Sequence, residues 1–169
     1  MEKLWAPWRM ELVSKGEPEP GGCIFCDLPR GTDDRKNLIL GRTANTFAIL
    51  NRFPYNNGHL MVVPRAHVSD LESLPDGDYA ELGSMLRVAL RLVRGSYAPH
   101  GSNVGMNLGR SAGAGIADHL HWHIVPRWNG DTNFMPVLGE TKVMVEHLEA
   151  SWDRLRPLFD KEFTKVKTW

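Results

Sequence analysis

His119, His121 and His123 fall at alternate positions in the stretch Asp118-His119-Leu120-His121-Trp122-His123-Ile124-Val125. Residues two apart diverge around a helix but share one face of a strand, so the spacing predicts a strand. Its polar face is then a row of three imidazoles, neighbours roughly 6.5–7 Å apart. Leu120, Trp122 and Ile124 supply the opposite, buried face, with Trp122 a core residue. Two chemistries suit such a row. A His-x-His pair on a strand can grip a metal ion. Alternatively, one imidazole held and polarised by its neighbours can serve as a nucleophile near neutral pH.

A second reactive pair is Cys23-Ile24-Phe25-Cys26, which holds the only two cysteines of the chain. The opening residues Met1-Glu2-Lys3-Leu4-Trp5 lack a signal-peptide core, which argues against a disulfide and leaves a redox pair or half of a metal site. A redox pair of this spacing normally opens a helix after a strand. Here the turn-rich Glu17-Pro18-Glu19-Pro20-Gly21-Gly22 precedes it, which suits a zinc knuckle better. Two thiolates still need two further ligands to close a tetrahedron.

These groups need a scaffold, and the hydrophobic pattern predicts one. Residues 37–40 and 46–50 read as a hairpin, 59–64 as a third strand and 103–108 as a fourth. The histidine strand would be the fifth. Leu82, Met85, Leu86, Ala89, Leu90 and Val93 form an apolar stripe at helical spacing, predicting a helix from Asp76 to Gly95. Arg87, Arg91 and Arg94 lie off the stripe, on a solvated face. A second helix is predicted from 141 to 159. The loop Gly109-Arg110-Ser111-Ala112-Gly113-Ala114-Gly115-Ile116 runs straight into the histidines; its small residues permit close backbone approach, and free amides there can cradle an anion. The expected class is α+β, an antiparallel sheet of about five strands with the main helix on one face. Residues 1–22 form an arm with Trp5, Pro7, Trp8 and Met10 as apolar anchors, 23–134 the core, and 135–169 a helical extension of the same domain.

At 169 residues the chain suits one domain with a core of its own. Hydrophobic content of 42% with 24% charged residues fits a soluble globular protein, and no apolar run approaches a membrane span. The formal charge is zero, so no broad attraction to nucleic acid or anionic membrane is indicated. A cytoplasmic location is expected.

The alternating histidines, together with Phe47-Ala48-Ile49-Leu50-Asn51, Gly58-His59-Leu60-Met61-Val62-Val63-Pro64-Arg65-Ala66-His67 and Asn107 ahead of the small-residue loop, resemble the histidine triad (HIT) superfamily of nucleotide hydrolases and transferases over roughly residues 23–127. Arg127-Trp128-Asn129-Gly130-Asp131-Thr132-Asn133-Phe134 and the long tail are similar to its diadenosine tetraphosphate phosphorylase branch. The loop Ala112–Gly115 departs from relatives in lacking a serine or glutamine beside the phosphates, leaving those contacts to backbone amides.

The resemblance implies His121 as nucleophile, His123 holding phosphate oxygens and assisting the leaving group, and His59 completing the pocket. Asn51 is implied for the ribose hydroxyls, Phe47 and Ile49 for the base, and Asn107 for the phosphate or bridging oxygen. Ser111, Gly113 and Gly115 are implied in the phosphate loop, and Trp128 at the border of the distal nucleotide. Some relatives use a Cys-x-x-Cys pair, a later histidine and the first triad histidine as zinc ligands; Cys23, Cys26, His67 and His119 match those places, implying one structural zinc. His100 and His147 match no family position. The implied reaction is nucleotidyl transfer from an adenine dinucleoside polyphosphate through a nucleotidyl-histidine, with inorganic phosphate as acceptor, in a homodimer. Hydrolysis of dinucleoside polyphosphates or of nucleoside phosphoramidates is an alternative form of the same chemistry. From other classes, a zinc hydrolase using all three histidines and a non-catalytic nucleotide sensor also fit; Cys23, Cys26 and His67 argue against the former.

Overall fold

The structure, a computed structural model, describes residues 22–132 and 143–164; the expected N-terminal arm and the stretch 133–142 lie outside them. The chain enters through a single helical turn, α1 (Ile24–Asp27), continued by a 3-10 turn at Leu28–Arg30. Strands β1 (Ile39–Arg42), β2 (Thr46–Leu50) and β3 (Leu60–Pro64) follow as an antiparallel meander. Helix α2 (Asp76–Tyr97) then crosses to β4 (Gly101–Gly105), and β5 (Trp122–Arg127) inserts between β3 and β4. The sheet order is β1-β2-β3-β5-β4, every neighbour antiparallel. Helix α3 (Leu148–Thr164) closes the described chain.

Both faces of the sheet are covered at its centre, which is why β2 and β3 are buried at every position rather than at alternate ones. Register decides what each face carries. Phe47 pairs with Val63 and Ile49 with Met61, which in turn pairs with His123. These side chains share one face, and Phe25 of α1 lies over it, its ring 6.5 Å from Phe47. Ala48, Val62 and Trp122 point the other way. On that side Gly41, opposite Ala48, lets α3 come so close that an added Cβ would sit 2.8–2.9 Å from the rings of Phe163 and Phe159. Helix α2 contacts α3 and the central strands, burying Leu82, Met85, Ala89 and Val93. Leu86 and Leu90 of the predicted stripe are half-buried at its margin, and Arg87, Arg91 and Arg94 are exposed as expected. The helix runs two residues past the predicted end and stops at Ala98, which adopts the left-handed conformation.

Other boundaries differ from expectation as well, β1 spanning 39–42 rather than 37–40. The fourth strand spans 101–105 rather than 103–108, because Asn107 is drawn into the following loop by a bond from its amide to the Gly113 carbonyl. The C-terminal helix begins at Leu148 rather than 141; Glu146, just ahead of it, is held outside by Tyr97, Ser151 and Arg154. Most consequential, β5 begins at Trp122, so His119 and His121 precede the strand and only His123 is in it. The ladder partner explains this. β3 ends in Pro64, whose carbonyl is taken by the His119 ring, while the Leu120 N–H turns to the Val68 carbonyl. Leu120 and Ile124 do occupy the core; Trp122 is half-buried against it rather than enclosed.

Candidate active site

His59, His119, His121 and His123 each have one nitrogen committed by a neighbour, and that commitment fixes what the other can do. His119 donates from Nε2 to the Pro64 carbonyl at 2.8 Å, which leaves Nδ1 a lone pair. That lone pair points into a group formed with Cys23 Sγ at 3.3 Å, Cys26 Sγ at 3.6 Å and His67 Nδ1 at 3.2 Å. The four candidate ligand atoms lie within 4.8 Å of one another, brought together from α1, the loop after β3 and the approach to β5. Without a cation such a group is poorly satisfied: burial and the neighbouring Cys23 both push the Cys26 thiol up, disfavouring the thiolate. A cation held at the centre reverses that balance, since coordination favours the thiolate. The sequence-derived quartet Cys23, Cys26, His67 and His119 is thus assembled as a site able to hold a metal ion.

His121 is committed the opposite way. Its Nδ1 donates to the His119 carbonyl at 2.8 Å, so Nε2 keeps the lone pair. The side chain is 6% exposed, flanked by the Phe25 ring at 5.0 Å and the His123 ring at 4.9 Å. Burial lowers its pKa, against the partial opposition of the carbonyl bond, and a neutral imidazole is the nucleophilic form.

His123 takes its tautomer from another histidine. The Tyr55 N–H donates to His59 Nδ1 at 3.0 Å, which places the His59 proton on Nε2. That nitrogen lies 3.0 Å from His123 Nδ1, which must accept, so the His123 proton sits on Nε2. His59 is fully buried, and the Tyr55 ring covers it at 4.8 Å. Burial, then the proximity of His121, push the His123 pKa down to about 4. A lone pair on His121 therefore stands beside an N–H on His123, an arrangement able to supply a nucleophile and a proton side by side.

The remaining predicted residues are distributed unevenly. Asn51 lies beside His59, its Oδ1 accepting from the Phe53 N–H at 2.9 Å and its Nδ2 3.4 Å from His59 Nε2. Phe47 is wholly enclosed and Ile49 only 3% exposed, so neither presents a surface on which a base could stack. Phe47 backs the wall through Phe25 instead. The small-residue loop connects β4, whose Gly105 pairs with His123, to His119. Ser111, Gly113 and Gly115 are exposed, but the expectation of free amides is narrowed. A 3-10 turn at Arg110–Ala112 commits the Ala112 and Ala114 N–H to Gly109 and the Gly113 N–H to Arg110. Trp128 lies five residues past His123, about 16 Å along an extended strand, and meets the Tyr97 ring edge-on at 6.4 Å. His100 accepts from the Asn129 N–H, and His147 is exposed.

Sequence reasoning missed Phe25, Tyr55, Asn56 and Asp131. Phe25 was visible only as a spacer between cysteines. Tyr55 acts through its backbone, for which side-chain type is no signal. Asn56 and Asp131 are 75 positions apart and joined by a 2.7 Å hydrogen bond.

The HIT domain family matches residues 33–130. Over 155 residues, 88% of this chain and 79% of the relative, the sequence is 42% identical to a Mycobacterium tuberculosis protein named AP-4-A phosphorylase. Among solved structures, a zinc-bound histidine triad family protein from Mycobacterium smegmatis superposes with a TM-score of 0.66 at 26% identity, covering 85% of this chain and 97% of that one. A histidine triad nucleotide-binding protein from Sulfolobus tokodaii gives 0.68 at 25%, covering 87% and 98%. With its triad committed nitrogen by nitrogen and its five-stranded sheet within the matched residues, the chain belongs to the HIT domain family.

Proposed function

We propose that the chain is a nucleotidyltransferase that phosphorolyses diadenosine tetraphosphate to ATP and ADP through a covalent nucleotidyl-His121. The observation that carries this is the His121 geometry: Nδ1 tied to a main-chain carbonyl at 2.8 Å, Nε2 left nucleophilic, and the His123 N–H beside it. The AP-4-A phosphorylase relative supports the choice of substrate. His121 Nε2 attacks the α-phosphorus, a P–N bond forms, and the bond to the bridging oxygen breaks to release ATP. His123 Nε2–H holds the phosphate oxygens and can supply a proton to the leaving oxygen. An oxygen of inorganic phosphate then attacks the same phosphorus, the P–N bond breaks, and ADP leaves. In this reading Asn51, which lies beside His59, receives the ribose hydroxyls, and the loop at 111–115 approaches the phosphates.

Zinc is the cation we assign to Cys23, Cys26, His67 and His119. Bonds of about 2.0–2.1 Å to nitrogen and about 2.3 Å to sulfur would need ligand atoms about 3.3–3.8 Å apart; the pairs Cys23–His119, Cys26–His67, Cys26–His119 and His67–His119 stand at 3.2–3.6 Å, and all four atoms lie within 4.8 Å of one another. Its role is structural, pinning α1 to the residues before β5, and it leaves His121 and His123 outside its shell. A homodimer fits the exposed edge strand β4, where Val104 is 38% exposed, with Leu108 beyond it 43% exposed. No described helix is long and apolar enough to cross a membrane, consistent with the cytoplasmic location we propose.

The test is incubation with diadenosine tetraphosphate, with and without inorganic phosphate, resolving ATP, ADP and AMP. ATP and ADP formed only with phosphate is the expected result. AMP and ATP formed without it would make the chain a hydrolase, and binding without turnover would make it a sensor.

A further inference from the structure

The segment after β5 does more than mark a branch of the family. Asp131 accepts four bonds: from Asn56 Nδ2 at 2.7 Å, Arg127 Nε at 2.6 Å, Arg127 Nη2 at 2.9 Å and the Trp128 N–H at 3.1 Å. Arg127 is itself oriented by Asn103 of β4 at 2.9 Å, and its guanidinium holds the Asp131 carboxyl well below the usual range. Asn56 Nδ2 also donates to the Pro126 carbonyl at 3.1 Å. The loop between β2 and β3 is therefore clipped to the far end of β5 through one amide. Either side of that amide the backbone wraps His59: the Tyr55 N–H donates to its ring, and the Asn56 carbonyl accepts its N–H at 3.1 Å.

We infer that Asn56 and Asp131 are positioning residues that set the tautomers of His59 and His123. This rests on the proposed reaction only in giving His123 Nε2–H a catalytic use. A neutral imidazole has one proton and two nitrogens of similar affinity, so something outside the ring must choose. His59 and His123 form a chain in which that choice is made once. With the Tyr55 N–H on His59 Nδ1, the proton must sit on Nε2; His123 then accepts at Nδ1 and donates from Nε2. If the Tyr55 N–H is withdrawn, both rings can reverse together. His59 carries its proton on Nδ1 and accepts at Nε2, while His123 donates from Nδ1 and presents a lone pair where the reaction needs a proton. The Asn56–Asp131 bond holds the backbone that makes the choice, without touching either ring.

Asn56→Asp is nearly isosteric but sets a second carboxylate against Asp131 and the Pro126 carbonyl. Asp131→Ala removes the acceptor from the other side. Ring ¹⁵N–¹H long-range correlation spectra of the full-length, metal-loaded protein near pH 7, without substrate, read both tautomers directly. In the wild type, His59 and His123 should each carry the proton on Nε2. In either variant that carries its metal and melts cooperatively, the Nδ1–H forms should grow in at both residues together. Turnover of diadenosine tetraphosphate should fall by up to about 10-fold in kcat, with KM within about twofold because the side chains facing substrate remain. A wild-type His59 protonated on Nδ1 would overturn the inference with no variant needed. So would folded variants that keep the Nε2 tautomers, whatever their activity. A wild type with the expected tautomers and no turnover would sink the proposed reaction and leave the clamp standing.

Discussion

Two histidine groups meet at the start of β5 and are built to opposite ends. At Cys23, Cys26, His67 and His119 four possible ligand atoms converge, with the His119 lone pair turned inward by the Pro64 carbonyl behind it. At His59, His121 and His123 each ring meets a partner of the opposite kind, so a lone pair and an N–H emerge at known atoms. The first group is able to hold a cation, and the second offers a lone pair and an N–H side by side. Residue type does not separate them, since His119 and His121 are two positions apart and both buried. The backbone carbonyl each ring finds does: His119 donates from Nε2 and His121 from Nδ1, and the reactive nitrogens are exchanged accordingly.

The largest expected effect breaks one side alone. His121→Ala should lower kcat by at least about 10⁴-fold while retaining one equivalent of zinc and nucleotide binding. Early-quenched wild type should carry an acid-labile, base-stable nucleotidyl adduct by intact mass, absent from the variant. Activity within about tenfold, roughly 1.4 kcal/mol of barrier, would falsify the nucleophile. His123→Ala should act less severely and depend on the leaving group. A polyphosphate oxygen leaves as an anion, whereas an amine must be protonated. The loss should therefore be about 10-fold for diadenosine tetraphosphate and about 10²- to 10³-fold for adenosine phosphoramidate. Equal losses on both substrates would remove the proton donor from the account.

The other side is tested through stability. Cys23→Ser, or a strong chelator, should release the metal and lower the unfolding free energy by about 3 kcal/mol or more. For a chain of this size that is a fall of about 6–12 °C in Tm, readable by metal analysis and thermal melts. Unchanged melting in chelator would show that the quartet holds no structural ion.

How far this division could be read from the sequence follows from what carries it. The pattern at 82, 85, 89 and 93 gave the main helix because burial repeats with the helical turn. The alternation at 119, 121 and 123 put the imidazoles on one side, but overextended the strand, because no alternation encodes the end of the β3 ladder at Pro64. Membership of the metal quartet came from resemblance, not spacing. Ring orientation was illegible: it depends on carbonyls of Pro64 and His119 and on the N–H of Tyr55, groups every residue type supplies. The burial of Phe47 was illegible for a related reason. Its strand position was right, but its enclosure was not legible, because Phe25, which lies 6.5 Å from it, is brought over from α1.

The smallest expected effect sharpens the comparison by proton counting. His123 is held to about 4 in the folded protein, against an ordinary value of about 6.5 for an unfolded histidine. Between those values the unfolded chain binds a proton that the native state refuses, so stability is full above about pH 6.5 and declines as pH falls toward 4. His119 and His121 are depressed in the same direction, and ligand protonation at the metal quartet adds to the decline, so the wild-type curve alone assigns nothing. His123→Gln keeps an acceptor for the His59 proton but cannot titrate. Subtracting its urea-unfolding free energies from the wild type's at each pH cancels every contribution the two proteins share. The difference should be flat above pH 7 and then slope against the wild type by up to one proton, about 1.4 kcal/mol per pH unit, through pH 6 to 4.5. Curves that stay parallel down to pH 4.5 would mean that His123 titrates alike in both states. The burial that separates His123 from an ordinary histidine would then be absent in solution.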